Sequence, residues 1–323
     1  MDAFDSARIS AQAVLDAVLD TGVLGEAGRL RARIRRLPAH TNVVFEIATG
    51  HARFAAKLFP ENADPKARTE YHVLRLQRDH GSCPSPLSLI LDRPDLPGPL
   101  LVTTFAAGRT LSAGPVGRSL LLRAMRAFAG LAGPSVTGVG AAKMNPGCPS
   151  RMGLMLAETA GGIRPRPETT QLYNAALRRI DWIDRLAKRL PKTTTPLQLC
   201  HGDPGFNNAI LGTNGSLTLV DWEDAGLGDP VCEVAKAVHH RANARWSRRL
   251  REVFRDMPMR GVSRAEYRRR FAFYDRTIPI ALLLRRIAEA QRAADRDDRP
   301  AMANNLDRAT QILRNTRRLQ FGL

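Results

Sequence analysis

The chain is poor in the features that would place it in several large classes of protein. Cysteine occurs four times, at positions 83, 148, 200 and 232, and no two stand in C-x-x-C spacing. That scarcity argues against a zinc site and against a disulfide framework, so the thiols are expected to be reduced. No stretch approaches the roughly 18 consecutive apolar residues of a membrane span. The opening MDAFDSARISAQAVLDAVLDTG carries acidic residues where a secretion signal would be basic. A soluble, cytoplasmic protein without membrane insertion is expected. There is no G-x-S-x-G, and GPSVTGVG (133–140) has Walker-like spacing without the Lys and Ser/Thr that complete it, so it reads as a loop. Acidic residues are outnumbered, 31 against 49 Lys and Arg, which leaves a net charge of +18 and a pI near 11.0. A field of that sign attracts anions at long range. Helix-turn-helix, zinc-finger and aromatic RNA-binding signatures are absent, however, so no specific nucleic-acid partner is expected. The arginines that crowd the chain after His240, as in RWSRRLREVFR, read as solvated helix faces.

What is present suits two lobes with well-filled cores, since 323 residues with 44% hydrophobic content exceed the needs of one small domain. After a first amphipathic helix, three β segments are predicted at Arg29–Leu37, Asn42–Thr49 and Ala52–Phe59, the last two joined by a tight turn at Gly50-His51. A helix is predicted over Ala63–His80, stopping before Gly81 and the prolines beyond it. PLSLIL and LLVTTF return to strand character, which makes a small, mostly antiparallel sheet with one helix inserted. Beyond Gly108 the pattern is helical to the end, with one β interruption. That interruption, NAILGTNGSLTLVDW, is two apolar runs around Asn214-Gly215, the dipeptide signal for a type I′ hairpin.

The hairpin brings two polar clusters to one place. HGDPGFNN (His201–Asn208) precedes its first strand, and VDWEDAGLGDP follows its second, so Asp203 and Asn208 should face the same site as Asp221 and Glu223. Two carboxylates and an amide oxygen converging on one point suit a hard divalent ion such as magnesium. A further carboxylate beside it can accept a proton from an attacking hydroxyl. These are parts for phosphoryl transfer, in which a protein supplies positioning and charge neutralisation. A cation for the phosphates is still required, and Lys57, amid apolar neighbours in FAAKLF, is the candidate, with Glu70 on the following helix as its partner. Cys200 beside His201 is a poor nucleophile pair, because strand neighbours point to opposite faces. Taken singly, an Asp before Pro or an Asn after an aromatic is a turn or cap residue. The joint spacing of His201, Asp203, Asn208 and Asp221 is what favours a kinase-type site.

With these pieces in order, the sequence resembles the aminoglycoside phosphotransferase and choline kinase family. FAAKLF, RTEYHVLRL, LLVTTFAAGRTL, HGDPGFNN, LVDWEDAGLGDP and GDPVCEVAKA carry the likeness from about Leu30 to Ala237. The resemblance implies an α+β, bilobal, protein-kinase-like fold. A small antiparallel-sheet N-lobe would span residues 1–105, a hinge 106–110, and a larger, mainly helical C-lobe with catalysis and the acceptor pocket 111–323. It implies an enzyme that moves the γ-phosphoryl group of ATP, with Mg2+, to a hydroxyl of a small molecule of aminoglycoside-, choline- or sugar-like kind. Asp203 would be the catalytic base and His201 would brace its loop. Asn208 and Asp221 would hold magnesium, while Lys57, fixed by Glu70, would contact the α- and β-phosphates. Asp229 would cap the helix starting at Pro230 and bond the catalytic loop.

Two positions depart from the family pattern. LPAHTNVV (Leu37–Val44) has no glycine to lie over the phosphates, which leaves Thr41 and Asn42 as the nucleotide contacts there, and Glu233 replaces the usual Asp of GDPxxDLA. A cationic acceptor would need local acids such as Glu158, Glu223 or Asp224, with Trp182, Trp222 or Trp246 as aromatic walls. The competing readings are a catalytically silent, nucleotide-binding regulator and, less favoured, a basic nucleic-acid-associated protein.

Overall fold

The computed structural model describes residues 9–26, 31–39, 42–78, 81–129, 148–190, 197–259 and 261–317. They divide into two compact units. The first is built from the stretches up to Val116 and His201–Gly226, the second from 117–129, 148–200 and the chain from Leu227 onward. The architecture is α+β, with an antiparallel sheet near the N-terminus and helices toward the C-terminus. No helix among the described residues is long and apolar enough to cross a membrane. All four cysteines are free.

In the first unit, β1 (Arg33–Leu37), β2 (Val43–Ala48), β3 (Arg53–Leu58), β4 (Pro86–Ile90) and β5 (Leu100–Thr104) form an antiparallel sheet in the order β1-β2-β3-β5-β4. The expected two-residue turn joins β2 to β3. It is closed by Thr49 N–H donating to Ala52 O at 2.8 Å, with the Thr49 hydroxyl accepting from Ala52 N–H at 3.0 Å. Alternation then gives the sheet two different faces. Phe45, Ile47, Phe54, Ala56, Leu58, Leu100 and Val102 point one way and bury themselves against Val14, Ala17 and Val18 of the N-terminal helix Ala11–Asp20. Lys57 lies on the opposite face, paired in register with Val44 and Leu101.

The helix predicted over Ala63–His80 runs from Asp64 to Leu76, with Pro65 in its first turn, where a missing N–H costs nothing. Ala67, Glu70, Val73 and Leu74 are its buried residues, so Glu70 sits on the stripe that would otherwise be wholly apolar.

The hairpin beyond the catalytic-type loop forms as expected, but its turn does not. β8 (Ala209–Leu211) pairs with β9 (Leu217–Leu219), and also with the short β6 (Arg109–Thr110) at the end of the segment expected to be a hinge. The connection is a three-residue loop, Thr213-Asn214-Gly215, closed by Gly212 N–H to Ser216 O at 2.9 Å. Only Gly215 of that loop adopts a positive φ, +77°, whereas a type I′ turn demands one at both central residues. Asn214 instead spends its side chain accepting from Ser216 N–H at 3.0 Å. That local bond, together with Gly212 N–H paired across the loop, selects the longer turn.

The second unit packs helices Arg118–Ala129, Met152–Gly161, Pro167–Lys188, Pro230–His239, Ser247–Phe254, Arg264–Asp295 and Arg299–Arg317. Between β7 (Gln198–Cys200) and β10 (Gly226–Gly228) runs a two-stranded pairing. Asp229 caps the Pro230–His239 helix, its carboxylate accepting from Val231 N–H at 2.9 Å. The same buried carboxylate accepts from the Tyr274 hydroxyl at 2.7 Å and from the Arg270 guanidinium on the long Arg264–Asp295 helix.

Candidate active site

Lys57 projects from β3 into a group of carboxylates. Its ammonium meets Glu70 at 2.6 Å, Glu223 at 3.0 Å, and Asp221. Lysine and partners together come from three places in the chain: the strand, the helix behind it, and the end of the β8–β9 hairpin. Carboxylate oxygens of Glu70, Asp221 and Glu223 lie within 4.8 Å of one another, with the ammonium as their common counter-ion. Asn42, just before β2, donates from Nδ2 to Glu223 Oε2 at 2.6 Å. Thr41 lies outside the described residues, as does the 133–140 stretch.

One cation shared among three acids sets the protonation of the group. Burial by itself would strip the proton from Lys57, but Asp221, Glu70 and Glu223 together raise its pKa and keep it charged. Burial pushes Glu70 up to about 7; Lys57 opposes that, while the charges of Asp221 and Glu223 add to it. Glu223 is buried too, yet it has two lysines, Lys57 and Lys66, and they hold it down at about 2.

Sequence reasoning passed over Lys66. It lies four residues before Glu70 on the same helix face, the spacing at which side chains of one helix serve one site. Its ammonium bonds Glu223 Oε1 and stands 3.6 Å from Asp224. The signal available in the sequence was a lysine one turn ahead of an acid on a buried stripe.

The HGDPGFNN loop is organised around Val220, the residue preceding Asp221. His201 is fully buried and its Nε2 lies 2.9 Å from Val220 O, while Val220 N–H donates to Asn208 O at 3.0 Å. His201 Nδ1 accepts from Asp203 N–H at 3.4 Å, so Nε2 is the protonated nitrogen and the donor to Val220. Asn208 Nδ2 reaches back to Asp203, to its carbonyl at 3.1 Å and to its carboxylate Oδ2 at 2.9 Å. Asn208 Oδ1 accepts from Asn207 Nδ2 at 2.7 Å. Asp203, Asn208 and His201 are thus brought together, and through Val220 they are tied to the chain at Asp221. Asp221 itself adopts a left-handed backbone, φ +69°. Such a conformation is uncommon outside glycine and costs on the order of 1 kcal/mol or more, and it recurs at functional sites.

Gly202 explains the middle letter of HGD. Its φ is +86°, and a Cβ there would collide with the backbone carbonyl of Asp224. Only glycine lets the loop pass this close to the acidic segment. Trp222 belongs to the core: it is fully buried, its ring centroid is 4.5 Å from that of His201, and its Nε1 donates to Leu219 O at 3.0 Å. Trp246 is covered by the Arg245 guanidinium at 3.9 Å.

The sequence model of the phosphotransferase enzyme family matches residues 33–274. No curated protein matches the chain. Among solved structures, the chain is similar to a protein from Ralstonia eutropha JMP134 provisionally assigned as an aminoglycoside phosphotransferase, with TM-score 0.65 and 15% identity over 95% of this chain and 97% of that one. It is similar to a choline/ethanolamine kinase family protein from Mesorhizobium loti, with TM-score 0.59 and 18% identity over 96% and 100%. A third likeness is to a thermostable mutant of the aminoglycoside phosphotransferase APH(4)-Ia in ternary complex with ADP and hygromycin B, with TM-score 0.56 and 15% identity over 93% and 98%. At these identities the structures establish the kinase-like fold.

Proposed function

Since the chain belongs to the phosphotransferase enzyme family, we propose that it is an ATP- and magnesium-dependent kinase that moves the γ-phosphoryl group of ATP to a hydroxyl of a small molecule. The observation that carries this reading is the bonding of Lys57 at once to Glu70 and to Asp221, residues 13 and 164 positions away in sequence. Such a lysine is positioned by the helix glutamate and offers its charge to the α- and β-phosphates.

The acidic group fits magnesium. Asp221, Glu223 and Asp224 stand with Glu70 around Lys57 and Lys66, and the acceptors they offer are all hard carboxylate oxygens. Asp221 and Asn208 would hold the ion, which when bound neutralises the phosphate chain.

Asp203 is the base. The acceptor oxygen attacks the γ-phosphorus, the bond from that phosphorus to the β,γ-bridging oxygen breaks, and ADP carries away the electron pair. The acceptor's proton passes to the Asp203 carboxylate. Asn208, gripping both the carbonyl and the Oδ2 of Asp203, fixes the direction in which that carboxylate points. His201 holds the loop to Val220 and takes no proton in this scheme.

Residues 111–323, where the acceptor is expected to bind, fall largely in the second unit. That unit contains 34 of the 49 Lys and Arg residues but only 15 of the 31 Asp and Glu residues. Several of its acids are already held by arginines: Asp229 by Arg270, Asp256 by Arg268 and Asp275 by Arg251. A polycation would have to find carboxylates outside these pairs, so neutral hydroxyl compounds lead the panel. The test is ATP consumption with magnesium across sugars, amino alcohols, choline and aminoglycosides, for wild type and Asp203→Ala. Acceptor-dependent ADP release that disappears in the variant supports the kinase. Magnesium-dependent ATP binding without turnover on any acceptor supports the silent regulator instead.

A further inference from the structure

The two lysines of the site share one carboxylate. Glu223 gives Oε2 to Lys57, at 3.0 Å, and Oε1 to Lys66. Two ammonium groups that grip the two oxygens of one carboxylate stand close enough to grip two oxygens of a phosphate chain in the same manner. They differ in access, the Lys57 side chain being 12% exposed and that of Lys66 34%, so Lys66 is the one a ligand reaches from solvent. The stretch Leu37–Val44 contains no glycine, the residue that lets backbone approach phosphate oxygens most closely. A second side-chain cation is the alternative source of that charge.

We propose that Lys66 is a second phosphate-binding cation, held by Glu223 and Asp224 until a nucleotide displaces them, and that it contacts the terminal phosphates while Lys57 contacts the inner ones. This rests on the kinase reading and adds a residue to it. Exchange of one anion for another on Lys66 involves no change in the Lys57–Glu70 pair, which is the more buried contact. The Asp64–Leu76 helix carries both Glu70 and Lys66, so a single rigid element presents one residue that fixes a lysine and another that is itself the ligand.

The experiment is calorimetric titration of the full chain with MgATP, MgADP and AMP, for wild type, Lys66→Met, Lys66→Gln and Lys66→Arg. A charge-assisted contact to the terminal phosphates predicts a Kd for MgATP at least ~10-fold weaker in the Met and Gln variants, a smaller loss for MgADP, and none for AMP. Arg should recover most of the loss. A loss equal for all three nucleotides would make Lys66 a tie between helix and acidic segment and overturn the proposal, as would no loss at all. Thermal melting of each variant within a few degrees of wild type secures the comparison, and where one of the two neutral variants does not fold the other carries it. Wild-type protein that binds no MgATP would overturn the kinase reading together with this one. Wild-type binding with unaltered variants would overturn this one alone.

Discussion

Removal of the Asp229 carboxylate should cost the second unit about 4 kcal/mol. The side chain is fully buried, and its partners include Val231 N–H at the helix start, the Tyr274 hydroxyl and the Arg270 guanidinium. Asp229→Ala leaves Arg270, whose side chain is 5% exposed, as a buried charge, and breaking such a pair from one side costs roughly 3–5 kcal/mol. Loss of the cap adds about 1 kcal/mol, and an unsatisfied buried hydroxyl about 1–3. These do not sum, because all three depend on one group, and Glu266 at 3.0 Å still offsets part of the Arg270 charge. The assay is urea unfolding by circular dichroism. With m of roughly 3 kcal/mol per molar, the midpoint falls by more than ~1 M at unchanged m. Asp229→Asn should lose less, since its amide oxygen still accepts from Val231 N–H and its Nδ2 can donate to the Tyr274 hydroxyl oxygen. Asp229→Ala combined with Arg270→Met should be no less stable than Asp229→Ala alone, because the orphaned charge has gone. An Asp229→Ala loss below ~1 kcal/mol, or strict additivity in the double variant, would refute the reasoning.

The carboxylate cluster makes a pH prediction. Glu70, pushed up to about 7 from 4.5, holds its proton more tightly in the folded state, so its contribution is fully present below about pH 4.5 and is lost as pH rises toward 7. Glu223, held down at about 2, contributes above pH 4.5 and loses that as pH falls. Glu70→Gln should therefore flatten the decline in unfolding free energy between pH 5 and 7 by roughly 1–3 kcal/mol, measured as urea midpoints; an unchanged slope rejects the assignment. Lys57→Met removes the shared counter-ion and should both lower the melting temperature and abolish MgATP binding in calorimetry. Adding Glu70→Gln should restore some of the melting temperature but none of the binding. Gly202→Ala should cost at least ~2 kcal/mol and most of the activity, because the new Cβ must push the loop off the Asp224 carbonyl; a variant of wild-type stability would contradict the close approach.

Much of the fold was legible because its signals are local. Alternation in FAAKLF puts Lys57 on the face opposite Phe54, Ala56 and Leu58, and no tertiary knowledge is needed for that. Pro65 in the first helical turn and Asp229 before Pro230 are likewise start signals readable from neighbours alone. The β8–β9 turn was misread because Asn-Gly is compatible with more than one loop. The choice depended on the pairing of Gly212 with Ser216 and on an Asn214 side-chain bond, which the dipeptide does not specify.

The spacing by itself marked out the members of the candidate site: a lysine on a strand, an acid on the following helix, and the H-G-D-x-x-x-x-N loop followed by Asp221. Only the tertiary structure decided how they share charge. That Glu223 bridges two lysines, that Lys66 joins the charged cluster, and that Glu70 is driven toward neutrality all follow from burial and from distances between segments up to 164 residues apart. Desolvation and Coulomb interactions depend on separation in space, which sequence spacing encodes within a helix or strand and not between them.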